Sequence, residues 1–146
     1  MITPITTKLR RTFAPKPVED LLVWTLQNAT SSENTITFTP DGITDSIASL
    51  PIDIIIETTV RFTYTVLQNT ITGSAFFFIP SGSITGNPEF ISSDIGTHSY
   101  DLEVVNNNDF ILMGDKVMES GILEFSVDSI YYVVDGTPTT QITWNI

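Results

Sequence analysis

Apolar residues along this chain recur with a period of two rather than 3.6, which predicts strands rather than helices. The clearest case is TTVRFTYTVLQ, where Val60, Phe62, Tyr64 and Val66 fall on one side and Arg61, Thr63 and Thr65 on the other. Such a strand has one face in the core and one in water. NTITFT places Ile36 and Phe38 inward in the same way, and THSYDLEVV does so with Tyr100, Leu102 and Val104. PIDIII and SAFFFI are more continuously apolar, the pattern of strands covered on both faces or lying centrally. In GILEFSVDSIYYVV the inward set begins at Leu123, Phe125 and Val127 and resumes at Ile130, Tyr132 and Val134. That change of phase at Asp128 and Ser129 predicts a β-bulge.

Turn formers separate these runs: Pro40-Asp41-Gly42, residues 69–73, the stretch from Pro80 to Pro88, residues 106–109, and Asp135-Gly136-Thr137-Pro138. Nine or ten short strands divided in this way predict an all-β protein, an antiparallel β-sandwich of the jelly-roll kind. Residues 1–18 contain Pro4, Pro15 and Pro17 and little pattern, so they read as an extended arm. Residues 19–136 form the sandwich, and residues 137–146 make a final edge strand or a tail.

Charge divides at the same boundary. Lys8, Arg10, Arg11 and Lys16 are four of the six basic residues, whereas all seventeen acids lie from Glu19 onward. Beyond the arm, Arg61 and Lys116 stand against those seventeen acids, a net of −15 joined to a +4 leader. A leader opposite in sign to its own body is drawn to the acidic body of a neighbour. Nucleic acid is disfavoured as the main partner, because the body repels phosphate and the arm offers only four cations and one aromatic, Phe13. The chain has no cysteine, which removes disulfides, thiolate nucleophiles and cysteine metal sites. MITPITTKLRRTFAPKP lacks the apolar run of a secretory signal, and no stretch approaches the roughly 18 apolar residues of a spanning helix.

Catalytic patterns are missing as well. His98 is the only histidine, and no G-x-S-x-G elbow accompanies it. It reads as a polar residue at a strand start. Asp101 and Glu103 project from one face of their strand, and Asp53 and Glu57 pair similarly, but seventeen acids on a small surface produce such pairs by chance. Gly82-Ser83-Ile84-Thr85-Gly86 has no lysine after its second glycine and reads as a loop rather than a phosphate cradle. Trp24, Tyr131, Tyr132 and Trp144 are the candidates for flat sugar-stacking faces.

From about Leu22 to Val134 the order of features resembles the galactose-binding-like jelly roll of carbohydrate-binding modules, a domain also found in bacteriophage virion proteins. VRFTYTV is similar to that family's "Y-x-F-x-V" strand, Gly96-Thr97-His98-Ser99-Tyr100-Asp101-Leu102 to its "G-T-x-x-Y-x-F" opening, and Gly121–Ile130 to its closing "F-x-I-D-x-V" strand. Glu57 stands where the family usually has a turn glycine. The resemblance implies an oxygen-ligand position for calcium at Asp128; otherwise no cofactor is expected. Joined to the cationic arm, it implies a non-enzymatic structural or accessory protein of a virus particle, a bacteriophage capsid decoration or tail component. The arm residues Lys8, Arg10, Arg11, Phe13 and Lys16 would then bind other virion proteins or further copies of the chain. On this view the protein is made in the host cytoplasm and resides in the virion, with no membrane partner. The alternative is a glycan-binding module that attaches a particle to a host surface.

Overall fold

The structure, a computed structural model, describes residues 22–52, 54–73 and 76–145. Among these residues there is no helix. The strands in chain order are β1 (Leu22–Val23), β2 (Thr25–Gln27), β3 (Ala29–Ser32), β4 (Thr35–Phe38), β5 (Ser46–Leu50), β6 (Thr59–Asn69), β7 (Thr72–Gly73) and β8 (Phe77–Ile79). They continue as β9 (Glu89–Phe90), β10 (Gly96–Glu103), β11 (Phe110–Gly114), β12 (Met118–Ser120), β13 (Leu123–Val134), β14 (Thr137–Ile142) and β15 (Trp144–Asn145).

Two antiparallel sheets hold most of the chain. One runs β10-β6-β13-β4-β3, with β14 also paired to β13, and the other runs β2-β5-β11-β8-β9. Pairing is nested: β8 meets β9, β6 meets β10, β5 meets β11 and β4 meets β13. The stretch from β4 to β13 therefore behaves as one long hairpin whose tip lies between β8 and β9. Folding that hairpin over gives two layers, because each strand buries only alternate residues and needs a second apolar face against it.

An aromatic lattice joins the layers. Phe38 on β4 and Tyr64 on β6 both present edges to Phe77 on β8, at 5.8 and 5.7 Å between centroids. Phe62 on β6 meets Phe110 on β11 at 5.0 Å. All five side chains are essentially inaccessible to water. Edge-to-face packing suits the ring quadrupoles, and filling the space between sheets with rigid rings leaves few rotamers to freeze.

The long strand β13 bends as its sequence predicts. Val127 pairs with Tyr64 and Ser129 with Thr63, so Asp128 is the extra residue of a bulge. The bulge returns Ile130 to the core at 1 % exposure after a break in the alternation. Val134 and Thr137 close the β13–β14 hairpin around Asp135 and Gly136, whose φ values of +52° and +80° are those of a two-residue turn with left-handed backbone. Two apolar runs behave differently from expectation. The described residues of 51–56 lie in no strand, with Ile52 and Ile54 buried and Ile55 and Ile56 exposed. Among the described residues of SAFFFI, Phe77 and Ile79 are buried and Phe76 is 46 % exposed, so β8, which does lie between β11 and β9 in its sheet, is covered on one face and not two.

Tyrosines close one end of the sandwich. Tyr64 donates its hydroxyl hydrogen to the Ser92 carbonyl at 2.7 Å, and the Ser92 N–H donates to the Tyr100 hydroxyl at 3.0 Å. The same connection is held by Asn69 Nδ2 donating to the Ser93 carbonyl and by a His98 Nε2 hydrogen bond to the Asp94 carbonyl. Burial pushes the Tyr64 phenol far above its ordinary value, so it stays protonated and remains a donor.

Candidate functional site

Lys8, Arg10, Arg11, Phe13 and Lys16, the arm residues expected to bind partners, lie outside the described residues. The four aromatics proposed as sugar platforms do lie within them, Trp24 buried and Tyr131, Tyr132 and Trp144 half-buried. Trp24 is core, 5 % exposed, with its ring meeting Phe110 and Trp144 edge-on at 6.2 Å each. No face of it remains for a sugar ring. Trp144 is half-buried against the core on β15, which pairs in parallel with β1 and ties the two ends of the described chain together. The Tyr132 hydroxyl accepts from the Ile55 N–H at 3.3 Å, and the Tyr131 hydroxyl reaches Gln141 Oε1 at 3.4 Å. The four rings do not gather into one concave patch: Trp24 and Tyr132 pack into the body and are tied to different elements.

Outward residues of the larger sheet form a hydroxyl surface. Thr63 and Ser99 share a hydrogen bond at 2.6 Å, and Thr65 and Thr97 share one at 2.9 Å, each linking β6 to β10. Asp128 joins this surface at the bulge. Its Oδ2 accepts from Thr65 Oγ1 at 2.6 Å and its Oδ1 from Ser126 Oγ at 2.7 Å. Both oxygens are thus already engaged by hydroxyls, and no group of three or more metal-binding side chains stands together among the described residues. A calcium ion takes six to eight oxygen ligands, which this single carboxylate does not approach.

Further along the same face, Arg61 Nε donates to Asp101 Oδ1 at 2.7 Å and its NH2 group to Asp101 Oδ2 at 3.0 Å. This forked pair holds the Asp101 carboxyl below its usual range and raises the Arg61 guanidinium. Asp101, Glu103 and Glu89 line an open cleft of about 540 Å³ with Asn87 and Asn106. The acids therefore do converge, as their strand face suggested. What the cleft supplies is a patch of negative potential. Glu57 is exposed and has φ +69°, the left-handed backbone that favours glycine. Asp53 lies outside the described residues.

The outer face of the smaller sheet was not foreseen from sequence. Register places Ile47, Met113, Phe78 and Phe90 side by side across β5, β11, β8 and β9. Phe90 is 66 % exposed, with the rings of Phe78 and Phe76 at 5.4 and 6.1 Å from it. The signal available beforehand was the run of three phenylalanines: in a strand covered on one face, the middle one must point away from its neighbours.

Compared with protein-family models, with curated proteins and with solved structures, the chain matches none.

Proposed function

We propose that this chain is a non-enzymatic structural protein of a virus particle, a bacteriophage capsid decoration or tail component, which needs no cofactor and binds neighbouring subunits through residues 1–18. The observation that carries the reading is the charge division: four of six cations precede residue 17, and all seventeen acids follow residue 18. Lys8, Arg10, Arg11 and Lys16 dock on acidic surface of an adjacent protein, of the kind that Glu89 and Glu103 make beside β10. Phe13 anchors the contact, and the prolines lower the entropy lost when the arm orders.

The nested strand order supports a jelly roll as the finer fold. A single hairpin of eight principal strands, with first paired to last and fourth to fifth, is what results when an antiparallel ribbon wraps around a core. Jelly rolls serve in viral capsids and in lectins alike, so this architecture leaves the function to be argued from surfaces.

Deletion of residues 1–18 tests the proposal. The shortened protein is expected to keep its near-ultraviolet circular dichroism but to fail to co-sediment with particles carrying the full-length form, and binding of the full-length protein should weaken as salt rises. Normal incorporation of the shortened chain would show that the arm is not the tether.

A further inference from the structure

One edge of the larger sheet is open. β10 runs eight residues and pairs with β6 along its whole length, but among the described residues no strand lies on its other side. In an antiparallel pair alternate residues turn N–H and C=O to opposite sides. Val104, just past β10, donates its N–H to the Thr58 carbonyl and accepts from the Glu57 N–H, so its backbone faces the β6 side. Counting back without a register shift, Leu102, Tyr100 and His98 face β6 as well, whereas Glu103, Asp101, Ser99 and Thr97 turn their backbone groups to the open side. The Thr63–Ser99 and Thr65–Thr97 side-chain bonds agree, because pairs without backbone bonds between them bring their side chains closest.

Such an edge is a template for another strand unless shortness, proline, lysine or a bulge blunts it. β10 has none of these, and its only charges are the acids Asp101 and Glu103. The other outer strands of the two main sheets are blunted: β2, β3 and β9 have three, four and two residues, and β14 carries Pro138 and a register shift. Beside the open edge there is room, since Asp101, Leu102 and Glu103 form one wall of the cleft of about 540 Å³ that Glu89 also lines.

We infer that the open edge of β10 takes residues 7–13 of a second copy as an added strand, so that copies join head to tail. This rests on the reading of residues 1–18 as a tether and names its partner and its seat. No proline or glycine interrupts residues 5–14, and alternation puts Lys8 and Arg10 on one side and Leu9, Arg11 and Phe13 on the other. Laid along β10, the first set shares a face with Asp101 and Glu103. The second turns with Tyr100 and Leu102 toward the cleft, where Arg11 meets the field of Glu89.

Charge selects the segment. Beyond the arm the only cations are Arg61, already paired with Asp101, and Lys116, so no other stretch of this chain offers clustered positive charge to an acidic edge. Position selects a second copy over the chain's own arm. The chain enters the body at β1 and β2, and β2 is the edge of the smaller sheet farthest from β9, which borders the cleft. Four strand spacings and one sheet separation come to about 29 Å, close to the reach of about 30 Å for nine fully extended residues between Phe13 and Leu22. A neighbour's arm meets no such limit.

Sedimentation velocity of full-length variants, over about 5–200 µM at about 0.05 M salt, tests this. The unmodified protein is expected to form species beyond a dimer, because a head-to-tail contact repeats, and to lose them as salt rises. Ser99→Pro removes an N–H on the open side without touching the β6 ladder, and Glu103→Lys reverses a charge there. Each should weaken association at least about tenfold with circular dichroism unchanged, as should Lys8→Ala/Arg10→Ala on the arm. Glu103→Lys replaces Ser99→Pro should the proline perturb folding. Mixed in equal amounts, an edge variant and the arm variant should recover a single contact and stop at a 1:1 pair, since one brings an intact arm and the other an intact edge. Undiminished association of the arm variant would sink both the tether and its seat. A defective arm variant beside edge variants that associate normally, an unmodified protein that stays monomeric yet co-sediments with particles, or a mixture that forms no pair would overturn this inference and leave the tether standing.

Discussion

Removing the Tyr64 hydroxyl isolates the contact that closes the sandwich. Tyr64 is fully buried, stacked on Phe62 at 4.9 Å and lying parallel to Tyr100 at 6.2 Å, so Tyr64→Phe keeps the ring packing and deletes only the donor to Ser92. A hydrogen bond of this kind contributes about 1 kcal/mol net, and an acceptor left without its partner raises the cost toward 2 kcal/mol. We expect a loss of about 1.5 kcal/mol, read as a lower urea midpoint with unchanged slope and a fall in Tm of roughly 3–6 °C. Tyr100→Phe removes the acceptor for the Ser92 N–H and should cost about 0.5–1 kcal/mol. Because both phenols grip the backbone of one residue, Ser92, the double variant should lose less than the sum, with a coupling of at least about 0.5 kcal/mol. Alkali gives an independent reading. The folded phenol titrates above its unfolded value of 10.0, so its contribution is complete below pH 10 and declines as pH rises above it. One of the four tyrosines should therefore resist ionisation until the protein unfolds. Single-variant costs below about 0.3 kcal/mol, or strict additivity, would refute the clamp.

Glu57→Gly should stabilise the fold by up to about 1 kcal/mol in urea denaturation, since relief of the left-handed backbone at φ +69° outweighs the extra chain entropy of glycine. Gly121→Ala should destabilise by roughly 3 kcal/mol or more: at φ +90° a Cβ there is driven into the Thr70 carbonyl, separating β12 from β7. On the acid side, the Asp101 carboxyl is lowered chiefly by the hydrogen bond from Arg61, and that of Asp41 by the Thr44 and then the Ile43 N–H. Both lie below 3.8 in the folded state, so the stability they give is present above that value and fades as pH falls through the folded values. Arg61→Gln should make that acid limb of the urea midpoint shallower, and an unchanged limb would contradict the assignment.

Alternation and turn chemistry were legible without coordinates because they are local. Val60 to Val66, Ile36 and Phe38 are inward as their spacing requires, and Asp135-Gly136 forms the left-handed turn that this dipeptide favours. The bulge at Asp128 was visible too, since one extra residue shifts the phase of everything after it. An apolar run is less informative. SAFFFI and PIDIII carry no alternation, so nothing local distinguishes a strand covered twice from one covered once, or from irregular chain whose described residues bury Ile52 and Ile54. Trp24 was equally opaque, because whether an indole is core or platform depends on Phe110 and Trp144, far away in the chain.

By itself, then, the order of residues determined that this protein is built of strands, where they turn, and that four of its six cations precede every acid. Tertiary structure decided which strands lie next to which, and with that which side chains share a surface. Ile47, Met113, Phe78 and Phe90 are scattered over sixty-odd positions, and only the nested pairing of β5, β11, β8 and β9 lines them up. The physical reason is range: backbone preference acts over a few residues, whereas a surface is made by hydrogen bonds between strands that the chain brings together from a distance.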